Sequence, residues 1–290
     1  MVTLLLLLQF CFEKVHVNVS IHALGKAIGL GRTAEVYAWK AGYILKLFHE
    51  SVPLRAIEHE AGMARMAHQA GVPSPAVEDI VNLDGRYGVV YEHVLGVSML
   101  KSLSSQPWTL LRCARLLAEI QARVHTIDAT QELPSQHQRL RDKILAAAIL
   151  PSEVQQTALQ TLETLPMGNQ LCHGDFHPDN VLITDKGPII IDWMDATCGY
   201  PLADVARSSL LLQMALLPQN TPLRWLHNLA RVWFHRLYLK RYFQLRPGDQ
   251  TELAIWRLVN AASRLSEGVP EAQALLACVQ TGLVRGVPGV

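Results

Sequence analysis

The sequence predicts an α+β fold in two parts: a small, strand-rich N-terminal lobe with one helix, then a larger, mainly helical lobe. Three observations predict it. Residues 17–94 carry short runs of β-branched, aromatic and aliphatic residues punctuated by glycine turns. Beyond residue 95, apolar residues recur at three- and four-residue steps. The chain has 290 residues, 50% hydrophobic and only 18% charged, enough for a full core in one large domain or two smaller ones.

The elements follow in order. Residues 1–16 form an apolar segment of their own, with five leucines from Leu4 to Leu8 followed by Phe10 and Phe12. No Lys or Arg precedes the leucines and no A-x-A cleavage site follows, so the run lacks the parts of a signal peptide. It is also shorter than the roughly 18 apolar residues that span a bilayer. A buried first strand or an extension is expected, without stable membrane insertion. Residues 26–39 and 43–48 read as strands separated by the turn at Ala41-Gly42. A helix is expected over residues 53–70, with Pro53 in its first turn, Gly71 just past its end and Pro73 beyond. Another strand follows over residues 87–94, after the turn at Asp84-Gly85.

Residues 95–290 form the second part. Residues 102–107 read as a loop. Residues 108–126 have helical periodicity through Leu110, Ala114, Leu117 and Ile120. Residues 138–165 predict one or two helices broken near Pro151. Residues 171–191 are different: a polar loop, a short apolar strand (181–183), a turn at Lys186-Gly187 and a second apolar strand (189–191). From Leu202 the pattern is helical nearly to the end. Arg224, His227, Arg231 and His235 share one helix face, opposite Leu226, Leu229, Trp233 and Leu237. That pattern predicts an amphipathic helix with its basic side in solvent.

Composition excludes several function classes. Twenty-six Lys and Arg face 25 Asp and Glu, a formal net charge of +1. A half-apolar, charge-balanced chain is neither a disordered tail nor a protein that coats nucleic acid by charge. The five cysteines are dispersed, with no C-x-x-C pair, which fits reduced thiols in the cytoplasm rather than a disulfide framework or thiolate zinc site. The twelve histidines contain no H-E-x-x-H pair.

The chemistry concentrates in His173-Gly174-Asp175-Phe176-His177-Pro178-Asp179-Asn180, followed by an apolar strand and then Ile191-Asp192-Trp193. Phosphoryl transfer from ATP needs divalent metal held by carboxylate and amide oxygens. It also needs a carboxylate that orients the acceptor hydroxyl and takes its proton. Asp175 and Asn180 stand at the two ends of one short loop. A hairpin of residues 181–183 and 189–191 brings Asp192 back toward it, so three oxygen ligands converge through local geometry. The four fixed positions of H-G-D-x-x-x-x-N should occur by chance in roughly one in several hundred chains of this length.

This segment resembles the kinase-like phosphotransferases, and most closely the aminoglycoside phosphotransferase family, over about residues 27–204. The resemblance implies a protein-kinase-like bilobal fold with an antiparallel sheet in the N-terminal lobe. It implies ATP and Mg2+ as cofactors, Asp175 as catalytic base, and Asn180 and Asp192 as metal ligands. Gly29-Leu30-Gly31-Arg32-Thr33-Ala34-Glu35-Val36 is similar to the glycine-rich loop of such enzymes, with Ala34 in place of the third glycine. Lys46 sits in an apolar strand, where a lysine is costly without an anionic partner. The resemblance implies that it reaches the α- and β-phosphates and pairs with a helical glutamate, either Glu58 or Glu60. Glu60 lies three residues from Ile57 and four from Ala64, on the inward stripe. Glu58 points roughly 200° away at about 100° per residue, so Glu60 is the expected partner. By the same resemblance Val36, Ile44, Leu182 and Ile191 line an adenine slot, with Tyr91, Glu92, His93 and Val94 as the hinge strand. Asp204 is expected to buttress the catalytic loop and His173 to be structural, while Asp195 is a further candidate near the metal.

Only residues 193–201 separate Asp192 from the next helix, and no A-P-E element is present, so a protein acceptor is disfavoured. The expected activity is transfer of the γ-phosphate to a hydroxyl of a small molecule: a sugar, an amino alcohol, a hydroxy amino acid or an aminoglycoside-like compound. The alternatives are a nucleotide-binding module without transfer activity, or a protein kinase. Residues 202–290 hold ten Lys and Arg against five Asp and Glu, which favours a neutral or anionic acceptor over a polycation. The sequence leaves the oligomeric state open.

Overall fold

The computed structural model describes residues 20–31, 33–129, 133–214 and 224–284. The leucine-rich run at residues 1–16 and Arg32 of the glycine-rich segment lie outside the described residues. The chain divides into two compact units. One holds the described residues up to Gln69 together with Ser74–Leu95; the other holds Ala70–Pro73 and the residues from Gly96 onward.

The first unit is a five-stranded sheet with one helix. The strands are β1 (Gly29–Leu30), β2 (Ala34–Ala38), β3 (Tyr43–Phe48), β4 (Val77–Leu83) and β5 (Arg86–Glu92), in the order β1-β2-β3-β5-β4. Every neighbouring pair is antiparallel. Strand alternation sorts the two faces. Leu45, Leu47, Val81, Leu83 and Val90 form a buried cluster on one face, against which Tyr37, Trp39 and Tyr43 pack. Val36, Ile44 and Lys46 therefore point to the opposite face. Gly42 and Gly85 adopt positive φ of 85° and 91° in the two hairpin turns, a conformation that glycine enters without steric cost. Helix α1 (Leu54–Gln69) buries Ile57, Glu60, Ala61 and Ala64, and packs on β4 and β5. Strand β4 was not expected, because Glu78 and Asp79 interrupt its apolar alternation.

The second unit contains β6 (Val97–Ser98), α2 (Met99–Ser105), α3 (Leu110–Val124), α4 (Gln136–Ala146) and α5 (Ser152–Thr164). These are followed by β7 (Gln170–Cys172), β8 (Val181–Thr184), β9 (Gly187–Ile190) and β10 (Thr197–Gly199), then α6 (Pro201–Met214), α7 (Arg224–Leu245), α8 (Gln250–Arg264) and α9 (Ala272–Val284). The short strands form two small antiparallel sheets, β6-β8-β9 and β10-β7. Helix α3 packs on α7, and α8 packs on α4, α5, α6 and α9.

Two expectations are corrected here. The loop expected over residues 102–107 is mostly helical, because Ser98 caps α2 by accepting from the Lys101 N–H at 3.2 Å and the helix runs to Ser105. The amphipathic helix at residues 224–245 matches the expectation only in part: Arg224 and His227 are exposed as expected, but the rest of the pattern is not kept. His235 is buried, whereas Trp225, Leu226, Leu229 and Trp233 are exposed. The inward side of α7 is a polar seam. His235 bonds Ser209 at 2.7 Å and Gln213 at 3.0 Å, and the Tyr242 hydroxyl bonds His125 at 2.6 Å. Tyr238 donates to Gln121. These hydrogen bonds to α3 and α6 satisfy the polar groups that α7 buries.

Candidate active site

The loop from His173 to Asn180 runs between β7 and β8 in the second unit. Its entry requires glycine. Gly174 has φ of 78°, and a Cβ there would collide with the Asp195 carbonyl oxygen. The loop closes on itself at Asn180, whose side-chain amide donates to the Asp175 carbonyl oxygen at 2.9 Å and to Asp175 Oδ2 at 3.5 Å. With its N–H groups turned to Asp175, the Asn180 amide oxygen is left for another donor. The Asn180 backbone oxygen accepts from the Ile191 N–H at 3.0 Å. That bond extends the β8–β9 ladder by one step and sets Asp192 beside the loop. Asp192 is exposed and has φ of 67°, a left-handed conformation in which a residue other than glycine is uncommon. The structure thus brings Asp175, Asn180 and the Asp192 backbone into one locality.

His173 and Asp204 hold this loop from behind. The buried His173 ring bonds the Ile191 carbonyl oxygen at 3.1 Å, and burial lowers its pKa. Asp204, on the first turn of α6, is 1% exposed yet accepts four hydrogen bonds. Two come from the loop N–H groups of His173 (3.3 Å) and Gly174 (2.7 Å), and two from Gln121 (2.8 Å) and His125 (3.0 Å) on α3 and at its end. Burial opposes its ionisation, but the bonds and charge from His125, with help from Gln121, hold its pKa at about 2. Gln121 and His125 carried no distinguishing signal in the sequence, because each reads as a polar residue on a helix surface.

Around Asp175 lies an ion cluster that the sequence did not disclose. His177 Nε2 is 3.5 Å and Arg207 Nη2 is 3.6 Å from the Asp175 carboxylate. Burial would raise the Asp175 pKa, but His177, Arg207 and His173 together hold it well below the usual carboxylate range. Arg207 also bonds the Gly174 carbonyl oxygen at 3.3 Å and Glu267 at 2.9 Å. Glu267 in turn takes Lys143 at 3.0 Å and Arg264 at 3.3 Å. Asp195 pairs with Arg139 and lies 3.8 Å from Lys143. Its carboxylate is thus engaged by α4, which removes the reason to assign it to a metal. Arg207 lies three residues after Asp204, and that helical spacing was the one available signal.

In the first unit, Lys46 Nζ is 2.5 Å from Glu60, and the Tyr91 hydroxyl donates to the same carboxylate oxygen at 3.1 Å. Glu60 is 1% exposed, and the pairing falls to it rather than to Glu58, which is only partly buried. Val36 lies opposite Lys46 in the β2–β3 register, and Ile44 opposite Ala38, so the three residues share one face. Gly29 pairs with Val36, and the Gly31 N–H donates to Ala34 O at 2.8 Å, closing the β1–β2 turn. Of the expected hinge residues, Tyr91 is buried with its hydroxyl on Glu60. The Glu92 and His93 N–H groups are taken by Ala76 O (2.9 Å) and Gly42 O (2.8 Å), and Val94 follows the strand. In the second unit, Leu182 and Ile191 lie on the partly exposed side of the β8–β9 hairpin, with Val181 and Ile190 buried on the other.

Among the described residues, no group of three or more His, Cys, Asp or Glu is placed to hold a metal ion. The Asn180 and Asp192 oxygens still fit Mg2+, which binds through one or two protein oxygens plus phosphates and water.

The sequence profile of the phosphotransferase enzyme family (APH) matches residues 25–247. No curated protein sequence matches at a significant level. Solved structures share the fold at low identity. A thermostable mutant of aminoglycoside phosphotransferase APH(4)-Ia, in a ternary complex with AMP-PNP and hygromycin B, is 19% identical. It aligns over 91% of this chain and 94% of its own, with a TM-score of 0.64. The amicoumacin kinase hAmiN, in complex with AMP-PNP, Ca2+ and Ami, is 17% identical over 90% of this chain and 88% of its own, with a TM-score of 0.62. A choline/ethanolamine kinase family protein from Mesorhizobium loti is 18% identical over 89% and 92%, with a TM-score of 0.55. The fold is protein-kinase-like, and with the family profile spanning most of its length, the chain belongs to the phosphotransferase enzyme family.

Proposed function

We propose that the protein is an ATP- and Mg2+-dependent phosphotransferase that moves the γ-phosphate to a hydroxyl of a small molecule, with Asp175 as general base. The observation that carries this reading is the Asp175–Asn180 loop, closed by its own side chains and backed by buried Asp204. A bound Mg2+ would neutralise charge on the phosphates, with Asn180 and Asp192 as its protein ligands. Asp175 orients the acceptor hydroxyl and takes its proton as the oxygen bonds the γ-phosphorus and the bond to the β-phosphate oxygen breaks, releasing ADP. Asp175 is held ionised by His177 and Arg207, so it is ready to accept that proton at neutral pH. Lys46, fixed by Glu60, supplies the cation for the α- and β-phosphates. For the nucleotide we assign Gly29, Gly31, Val36, Ile44 and residues 91–94 in the first unit, and Leu182 and Ile191 in the second. The neighbours solved with AMP-PNP support a nucleotide donor.

Among the described residues, no helix is long and apolar enough to cross a membrane. The four described cysteines are free. We assign the enzyme to the cytoplasm, where dispersed cysteines stay reduced. The test is ADP release over a panel of sugars, amino alcohols, hydroxy acids, nucleosides and aminoglycosides. Asp192→Ala should lose at least 100-fold in turnover and the Mg2+ dependence of ATP binding, because it removes the carboxylate ligand. ATP binding that still responds to Mg2+ in this variant would reassign the metal site.

A further inference from the structure

Helices α7 and α8 both pack on α6 and leave a groove of about 590 Å³ between them. That volume lies in the range of small-ligand sites, roughly 300–1,000 Å³. Leu239 and Phe243 of α7, with Leu253 and Ala254 of α8, give the groove an apolar lining. Arg236, Lys240 and Arg257 give it three cations, and no Asp or Glu is among its described lining residues. Arg236 and Lys240 are exposed and one turn apart on α7. Arg257 is partly buried; its Nη2 donates to Gln213 Oε1, and its buried Nε makes no hydrogen bond. Burial lowers the Arg257 pKa, and only the Cys278 thiol acts the other way, so no carboxylate answers its charge. His235, in the same wall, feels the same field: burial, then Arg257 and Arg236, push its pKa down to about 4. The acids at the start of α8 and on α3 are engaged elsewhere. Asp249 accepts from the Thr251 N–H at 2.8 Å, Glu252 accepts from Trp256 Nε1 at 3.2 Å, and Glu119 pairs with Arg241 at 2.6 Å. If those three acids are counted, and Arg241 and Arg246 with them, five cations still stand against three carboxylates.

We infer that this groove is a second ligand site, for a small amphipathic anion: a carboxylate or phosphate on an apolar body. The body lies on Leu239, Phe243 and Leu253, and the anionic group meets Arg236, Lys240 and Arg257. Charge and lining together select this class. An inorganic anion would leave the apolar wall in water, and a neutral or cationic amphiphile would leave three cations unanswered. The groove is separate from the transfer centre. Arg257 stands seven residues before Arg264 on α8, and Gln213 six residues after Arg207 on α6. Each helix therefore rises about 9–10 Å between the groove and the ion cluster at Asp175. The inference goes beyond the phosphotransferase reading and does not depend on it.

The test is calorimetric titration of the full chain at neutral pH with octanoate, octyl phosphate, 1-octanol, octylamine and inorganic phosphate. Octanoate or octyl phosphate is expected to bind about ten-fold or more tighter than the other three, and the tighter of the two names the anionic group. That binding should weaken as salt is raised. Arg236→Gln and Lys240→Gln, both at exposed positions, should each weaken it about five-fold and leave ATP affinity within about two-fold. Lys240→Arg should retain it. Octanol binding as tightly as the anions, inorganic phosphate matching octyl phosphate, anion binding unchanged in both glutamine variants, or no binding at all overturns the site. Sedimentation with phosphatidylglycerol vesicles, without binding of the soluble anions, also overturns it and makes the same cations a membrane-facing surface.

Discussion

Asp175→Ala is expected to lower turnover by about 100- to 10,000-fold while the Kd for MgATP stays within a few-fold. The asymmetry follows from where the carboxylate sits. Asp175 accepts from Asn180 and is flanked by His177 and Arg207, all in the second unit. The Lys46–Glu60 pair assigned to the phosphates is built in the first unit and does not depend on it. The substitution removes the proton acceptor and leaves Asn180 bonded to the residue 175 carbonyl oxygen at 2.9 Å, so the loop keeps its closure. Asp175→Asn is the companion variant. It keeps the shape and one acceptor oxygen but not the charge, and it should be nearly as impaired. Single-turnover kinetics with equilibrium nucleotide binding separates the two quantities. Turnover near wild type in either variant would remove Asp175 from the mechanism.

Asp204→Ala should cost about 3–5 kcal/mol of stability and most of the activity, the largest effect expected from any residue that does not meet substrate. Its four donors would be left inside a dry region: two loop N–H groups, the Gln121 amide and the His125 ring. Each buried, unmet donor costs about 1–3 kcal/mol. The loop N–H groups of His173 and Gly174 lose their anchor, so Asp175 loses its fixed position as well. The acid dependence has a definite sign. The Asp204 pKa is about 2 in the folded chain, below the ordinary 3.8. A depressed carboxylate contributes stability above its unfolded pKa and loses it as pH falls through the folded value. The contribution is about 2 kcal/mol, present above pH ~4 and lost between pH ~4 and ~2. Urea unfolding across that range should show the slope in the wild-type protein. A slope of equal size in Asp204→Asn would assign the acid sensitivity to another group.

Much of the site was legible because its geometry is local. Asp175 and Asn180 are five positions apart, and Asp192 follows one hairpin later, so loop and strand lengths alone bring them together. The Glu60 assignment was legible for the same reason: helical phase relative to Ile57 and Ala64 decides it. What escaped the sequence is long-range. Arg207 and Glu267 are 60 residues apart, and Gln121 and Asp204 are 83 apart. No periodicity encodes such pairs. The burial of His235 on α7 runs against hydrophobic patterning, which assumes that polar residues seek water. His235, Tyr238 and Tyr242 instead find partners in the interior, where a satisfied hydrogen bond is as acceptable as an apolar contact. The short strands β6, β7 and β10 carry too few residues to show alternation.

The stretch Ala70–Pro73 belongs to the second unit, although the chain on both sides of it belongs to the first. Its Pro73 carbonyl oxygen accepts from the Ile190 N–H at 2.7 Å, at the end of the strand that delivers Asp192. The backbone thus changes units three times, and no single cut yields two whole pieces. A fragment begun at Gly96 would leave the Ile190 amide without its acceptor, two residues before the one assigned to the metal. Dissecting this enzyme by truncation would therefore damage the half it was meant to isolate. A circular permutant opened at a distant surface loop would keep that tether and is the sounder way to study the parts.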